Sequence, residues 1–305
     1  MNKIPVILDT DIGLDVDDVW ALAFLLCCPE VDIRLIVTDT GDTTYSAAIV
    51  CKLLDLAGRS DIPVGIGIPL TTTAKTHLAW LGDYTVSDYT GEVITDGVGA
   101  MINEINASPE VVKIISIGPV PNLAHALQRD PTIVNNSHFV GMHGSLKSGY
   151  LGAPKPHREY NVFAYAQAAQ RVFEADWSKT ITPLDTCGLV SIQGENFIAL
   201  TQSSQPLVKA VMDNHFEWAK VVDEKMTGKI DLQSQSSTLY DTVAVHLAFS
   251  EAYLSMQDLG VHVTDSGRTL IDSKAKQVRC AMLWQDKTAF EDYVTQRLLA
   301  GPVKI

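Results

Sequence analysis

Basic residues are scarce. Lysine and arginine total 23 against 36 aspartates and glutamates, for a formal net charge of −13. Such a field repels phosphate backbones and anionic lipid, which excludes nucleic-acid polymers and membranes as partners. A small neutral ligand, or a site that gathers cations, suits it better. Cysteine is sparse too: the five fall at 27, 28, 51, 187 and 280, an odd count without metal-type spacing. No disulfide framework follows, and the expectation is a reducing, cytoplasmic setting. No run is apolar for long enough to span a bilayer: Val19–Cys28 is far too short. The acids ahead of it do not suit a signal peptide. Internal repeats and low-complexity segments are also missing.

What is there is a crowd of acids behind a short apolar run. Val6-Ile7-Leu8 has the length and β-branching of a buried strand, and Asp9, Asp11, Asp15, Asp17 and Asp18 follow within ten positions. Gly13 marks a turn. From Val19 onward Ala21, Leu22, Leu25 and Leu26 return at helical spacing. The stretch therefore reads strand, acidic turn, helix, with Asp17 and Asp18 in the first helical turn, where the dipole favours carboxylates. Capping accounts for one or two of these acids. Five so close repel one another, and a bound cation relieves that. All-oxygen ligation points to calcium or magnesium before zinc.

The pattern then recurs. Asp32–Thr38 is a second strand ending in a polar turn with Asp39, Asp42, Thr43 and Thr44, and a helix spans Ser46–Ala57. Pro63–Ile68 reads as a third strand, and residues 70–99 as a loop-rich excursion over the site. Val111–Ile117 runs into GPVPN, where Asn122 is placed to cap a helix Leu123–Gln128. His138–Gly141 leads into a long loop ending in REYN, whose Glu159 and Asn161 either bind a ligand or cap a helix Ala164–Glu174. Lys179–Pro183 gives another strand, and residues 205–226 a helix whose Phe216 and Trp218 read as core. A polar turn at 234–239 feeds a further helix with Asp241 at its mouth. Strands and a helix Ala289–Leu299 close the chain. Strand, polar turn and helix in alternation predict one α/β domain over 1–305, with a mostly parallel, Rossmann-like central sheet flanked by helices. Ligands collect at the C-terminal strand ends of such sheets, where both acidic turns lie.

The segment DTDIGLDVDDVWAL closely resembles the N-terminal signature of the inosine–uridine nucleoside hydrolases, usually DTDPG-x-DDA-x-A. Ile12 stands where proline is usual, and two extra residues separate Gly13 from the aspartate pair. The GPVPN turn, REYN and Tyr240-Asp241 are similar, in order, to later family segments. The resemblance implies calcium-dependent hydrolysis of the N-glycosidic bond of ribonucleosides, releasing ribose and a free base, by a homo-oligomer (dimer or tetramer). It implies calcium on Asp11, Asp18, Asp241 and the Ile117 carbonyl, with Asp11 as general base. Asp17, Glu159 and Asn161 would hold ribose hydroxyls, with Asp42, Asp9 and Asp15 as supporting acids around the substrate. Asp15 lies in the expansion and has no family counterpart. A family asparagine would fall near Ala153, so that contact is absent.

At the position of a family histidine, the candidate proton donor to the leaving base, stands Tyr240. His77, Tyr84, Tyr89 and His143 are the other candidates for that work. Two alternatives remain open. DTDIGL also resembles the nucleophile motif of haloacid-dehalogenase-type phosphatases, with Asp9 as nucleophile, although Gly13 replaces its hydroxyl residue. The lost histidine also leaves room for a catalytically silent ribose- or metal-binding protein. An EF-hand loop fails on glycine and glutamate spacing.

Overall fold

The structure, a computed structural model, describes residues 3–222, 228 and 230–303. Among them, ten strands form one sheet: β1 (Ile4–Thr10), β2 (Val31–Thr38), β3 (Val64–Ile66), β4 (Val93–Ile94), β5 (Val112–Ser116), β6 (Ser137–Met142), β7 (Ser178–Thr182), β8 (Leu254–Val263), β9 (Thr269–Ile271) and β10 (Gln277–Trp284). Their order is β4-β3-β2-β1-β5-β6-β7-β10-β8-β9. Pairing is parallel from β4 through to β10, and β8 joins β10 and β9 antiparallel. The expected single α/β architecture is what the chain adopts.

The connecting helices are α1 (Asp17–Leu26), α2 (Thr43–Ala57), α3 (Leu78–Leu81), α4 (Gly97–Ala107), α5 (Pro121–Arg129), α6 (Tyr160–Phe163), α7 (Ala166–Glu174), α8 (Gly194–Thr201) and α9 (Pro206–Ala219), followed by helices Tyr240–Leu247 and Lys287–Ala300. They cover both sheet faces. Trp20, Phe24, Trp218 and Phe290 pack over Val6, Leu8 and Ile36 on one side; Met101, Leu123 and Phe173 pack over Ile7, Val37 and Phe139 on the other. A strand buried on both faces needs continuous apolar sequence, which is why Val6-Ile7-Leu8 does not alternate. Helix α1 is buried all round, its two leading aspartates included. No helix is long and apolar enough to cross a membrane among the described residues, and all five cysteines are free and buried.

Several boundaries differ from the sequence reading. Helix α2 begins at Thr43, because Asp42 caps it by accepting the Tyr45 N–H at 3.0 Å. Asn122 is not a cap: Pro121 opens α5 and carries Asn122 inside the first turn, fully buried. The helix expected from Ala164 is α7, which begins at Ala166, and a separate short helix α6, capped by Glu159, precedes it. Helix α9 ends at Ala219; the expected continuation over 223–226 lies outside the described residues. The 70–99 excursion supplies α3, a 3-10 turn and the edge strand β4.

Candidate metal and active site

Register brings the acidic turns together. Asp9 pairs across from Val37 and Ser116, and Thr10 from Thr38, so β1, β2 and β5 end level. Gly13, at φ +133, turns the chain from β1 towards α1. Thr10 Oγ donates to Asp18 Oδ1 and accepts the Ile12 N–H, which ties the strand end to the helix start. Beneath Asp11 lies Gly118, where a Cβ would come within 2.9 Å of the Asp11 Cβ and backbone nitrogen. Only glycine permits that approach.

Asp17, Asp18 and Asp241 are buried, with one carboxylate oxygen from each lying within 4.8 Å of the others. Burial, then the charges of Asp17 and Asp18, pushes Asp241 well above the usual carboxylate range. Burial, then mutual repulsion with Asp15 and Asp18, pushes Asp17 well above the usual carboxylate range. Burial raises Asp18 to about 7, against the Thr10 hydroxyl that favours its anion. Among the described residues no lysine or arginine pairs with any of these carboxylates. Buried acids without a basic partner are costly as anions, and an all-oxygen cation site removes that cost. The donor set fits a hard divalent ion.

The ligand set implied by the resemblance is only partly gathered. Asp18 and Asp241 are there, and Asp17 completes the trio in place of Asp11. Asp11 lies at its side, half-buried, its pKa raised by burial and by Asp18 and Asp17. The Ile117 carbonyl accepts from Asn161 Nδ2 at 3.0 Å, and the same amide reaches the Met142 carbonyl at 3.0 Å. Asn161 therefore sits beside the expected carbonyl ligand. Glu159 is buried, its carboxylate receiving the N–H groups of Asn161, Gly144 and Val162 at 2.6, 2.8 and 3.2 Å. It caps α6 and not the helix from Ala164 that the plainer reading assigned to it, and burial pushes it up to about 7. Asp42 faces elsewhere: its carboxylate caps α2 and pairs with Lys75 at 2.6 Å, which lowers its pKa.

Tyr240 opens its helix next to Asp241, its ring edge-on to Tyr150 with centroids 5.9 Å apart. Burial, and then the nearby Asp17 and Asp15, pushes its phenol up. The alternative proton donors are engaged in packing. Tyr84 bonds Asp55, and Tyr89 bonds the Ile62 carbonyl at 2.7 Å. His143 is buried among Phe139 and Phe173. Both ring nitrogens of His77 are already bonded.

Asp9, the nucleophile a phosphatase would need, is fully buried with Oδ1 on Asn122 Nδ2 at 2.7 Å. The sequence reading named two further residues without their roles. Asn122 holds Asp9, the Thr38 carbonyl and the Ile68 N–H together, tying three strand ends. Asp39, fully buried and bonded by the Thr40 hydroxyl at 2.6 Å, is driven up by burial and by the charges of Asp9 and Asp11. The signal was there in TDTGD, a second acidic strand end.

Comparison with known proteins gives relatives along most of the chain. The probable uridine nucleosidase 2 of Arabidopsis thaliana is 26% identical over 305 aligned positions, covering 95% of this chain and 92% of the relative. The pyrimidine-specific ribonucleoside hydrolase RihA of Citrobacter koseri is 28% identical over 246, covering 73% of each. A solved plant nucleoside hydrolase superposes with a TM-score of 0.83 at 22% identity, over 98% of this chain and 100% of that one, which shows a shared fold. The family model described as inosine-uridine preferring nucleoside hydrolase matches residues 6–292, and the chain belongs to that family.

Proposed function

We propose that this protein is a calcium-dependent N-glycosidase that hydrolyses ribonucleosides to ribose and a free base. The observation that carries the reading is the buried trio Asp17, Asp18 and Asp241, an all-carboxylate cluster without a basic partner among the described residues, beside the acidic turn that resembles the family signature. Calcium held by these three, with the Ile117 carbonyl and Asp11 adjoining, would supply a positive centre that acidifies water and engages ribose hydroxyls.

The chain's own residues do the rest. Cleavage passes through an oxocarbenium-like state, and buried carboxylates around the sugar stabilise that positive charge. Asp11, the half-buried acid beside the trio, takes the proton from the attacking water. Asp17 and Asn161 orient the ribose, and Glu159 fixes the segment that carries Asn161, so that binding energy is converted into alignment. Tyr240 faces the departing base.

The two curated relatives are named for uridine and for pyrimidine ribonucleosides, so uridine is the first substrate to try. A reducing-sugar assay on uridine, cytidine, inosine and adenosine, with calcium and with chelator, tests the proposal. Calcium-dependent release of ribose supports it. Release that survives chelation overturns the metal requirement, and no release from any nucleoside favours the silent, binding-only reading that Tyr240 invites.

A further inference from the structure

The expansion in the acidic loop is gripped by side chains from three other parts of the chain. Gly13, Leu14 and Asp15 each present a backbone carbonyl, and each carbonyl has a side-chain donor. The Gly13 carbonyl accepts from the Tyr45 hydroxyl at 3.3 Å and the Thr76 hydroxyl at 3.2 Å. Leu14 accepts from the Thr76 hydroxyl at 2.7 Å and from Trp218 Nε1 at 3.0 Å. Asp15 accepts from His77 Nε2 at 2.9 Å.

That last bond fixes a tautomer. A carbonyl only accepts, so His77 Nε2 carries the proton, and in a neutral ring Nδ1 must then accept. Asn214 supplies the donor from Nδ2 at 3.0 Å. His77 and Asn214 are fully buried, and burial depresses the imidazole to about 4. Asn214 and Trp218 stand four residues apart on α9, on one helix face, and both are aimed at the same loop. The His77 backbone N–H closes the ring of contacts by donating to the Tyr45 hydroxyl at 2.8 Å.

A loop of six residues with a glycine at its turn would otherwise be free to move, and it leads directly into Asp17 and Asp18. We propose that His77, Asn214 and Trp218 are positioning residues for the cation cluster: their collar sets the path of residues 13–16 and thereby the first turn of α1. The 70–99 excursion, through Thr76 and His77, then serves to hold the acids in place. The proposal rests on the calcium reading of the trio, and its test separates the two.

Calcium chloride is titrated calorimetrically into chelator-treated protein, and the melting temperature of the metal-free form is recorded alongside. Trp218→Phe keeps most of the ring and removes the donor; His77→Leu removes both ring nitrogens, while His77→Gln restores a donor at the reach of Nε2. Trp218→Phe and His77→Leu are expected to weaken calcium about tenfold, roughly 1.4 kcal/mol, with His77→Gln recovering most of the loss. A dissociation constant within twofold of wild type in Trp218→Phe, with only the metal-free melting temperature lowered, would make the collar a packing feature and overturn the proposal. The same holds if His77→Gln binds calcium no better than His77→Leu. Wild-type protein that takes up no calcium overturns the collar and the metal reading together, whereas wild-type binding with unaltered variants sinks the collar alone.

Discussion

Asp17 and Asp241 are buried with carboxylate oxygens within 4.8 Å of each other. Two buried carboxylates that close repel one another as anions, so the pair at neutral pH favours holding either a proton or a cation. One residue opens α1 and the other lies in the first turn of a helix far along the chain, and those two helices pack against each other beneath the site.

That arrangement gives metal-free protein an unusual pH dependence. Burial raises Asp9 and Asp18 from an ordinary 3.8 to about 7 in the folded state. Between those values the folded chain binds protons that the unfolded chain has released, so stability is full below about 4 and is lost as pH rises through about 7. In chelator, the melting temperature should fall steadily from pH 5.5 to pH 8. Calcium at one hundred times its dissociation constant should add about 2.7 kcal/mol and flatten the decline, because the ligands are then held as anions. A metal-free melting temperature that is constant or climbs over this range contradicts the burial argument.

Asp11 and Asp241 should separate base from ligand. The structure groups Asp241 with Asp17 and Asp18 and leaves Asp11 at their side. Asp241→Asn should weaken calcium by well over tenfold in calorimetric titration. Asp11→Asn should lower kcat by roughly 10²–10⁴-fold, the range of a lost general base, with calcium binding changed far less. Equal loss of calcium in both variants would return Asp11 to the ligand set.

Strand, acidic turn and helix were legible because each rests on local sequence: an apolar run, a glycine, then apolar spacing at helical period. The parallel sheet followed from their recurrence. Asn122 was misread for a physical reason. Its neighbours gave a helix-start signal, but its partners are Asp9, Thr38 and Ile68 on three other strand ends, and only register brings those together. Asp42 and Asp39 show the same limit. Both belong to one acidic turn, yet Asp39 points into the buried cluster while Asp42 caps α2 and meets Lys75. Trp218 read correctly as core, being buried, but its indole N–H also serves the acidic loop. Sequence spacing carries burial; it does not carry the partner of a polar atom.

Glu159 and Asn161 should differ in what they damage. Glu159 accepts three backbone N–H groups, so Glu159→Gln, which supplies one acceptor oxygen, should cost stability as well as turnover, about 1–3 kcal/mol by thermal or urea unfolding. Asn161→Ala releases the Ile117 and Met142 carbonyls and should act mainly on catalysis. On the sugar-binding reading, it should lower kcat/KM for ribonucleosides far more than for 2′-deoxyribonucleosides. A uniform loss on both sugars would assign Asn161 to holding the Ile117 carbonyl and remove it from sugar recognition.

On the proposed reading, Tyr240 decides how the base departs. A phenol titrates near 10 against about 6.5 for imidazole, so it is fully protonated at neutral pH and surrenders its proton less readily. Here burial and the neighbouring Asp17 and Asp15 push it higher still. Its ring is braced edge-on by Tyr150, whose own hydroxyl accepts the Tyr160 N–H at 2.8 Å, so its orientation is fixed from the segment that carries Glu159 and Asn161. Such a residue suits wall and hydrogen-bond donor better than strong acid. Tyr240→Phe is therefore compared on uridine and on a nitrophenyl riboside, whose leaving group needs no proton. The expected result is a five- to thirtyfold loss of kcat on uridine, the worth of about 1–2 kcal/mol, and little loss on the nitrophenyl riboside. Equal losses on both would show that the hydroxyl positions the sugar and is not used on the base, and unchanged rates on both would take Tyr240 out of the site altogether.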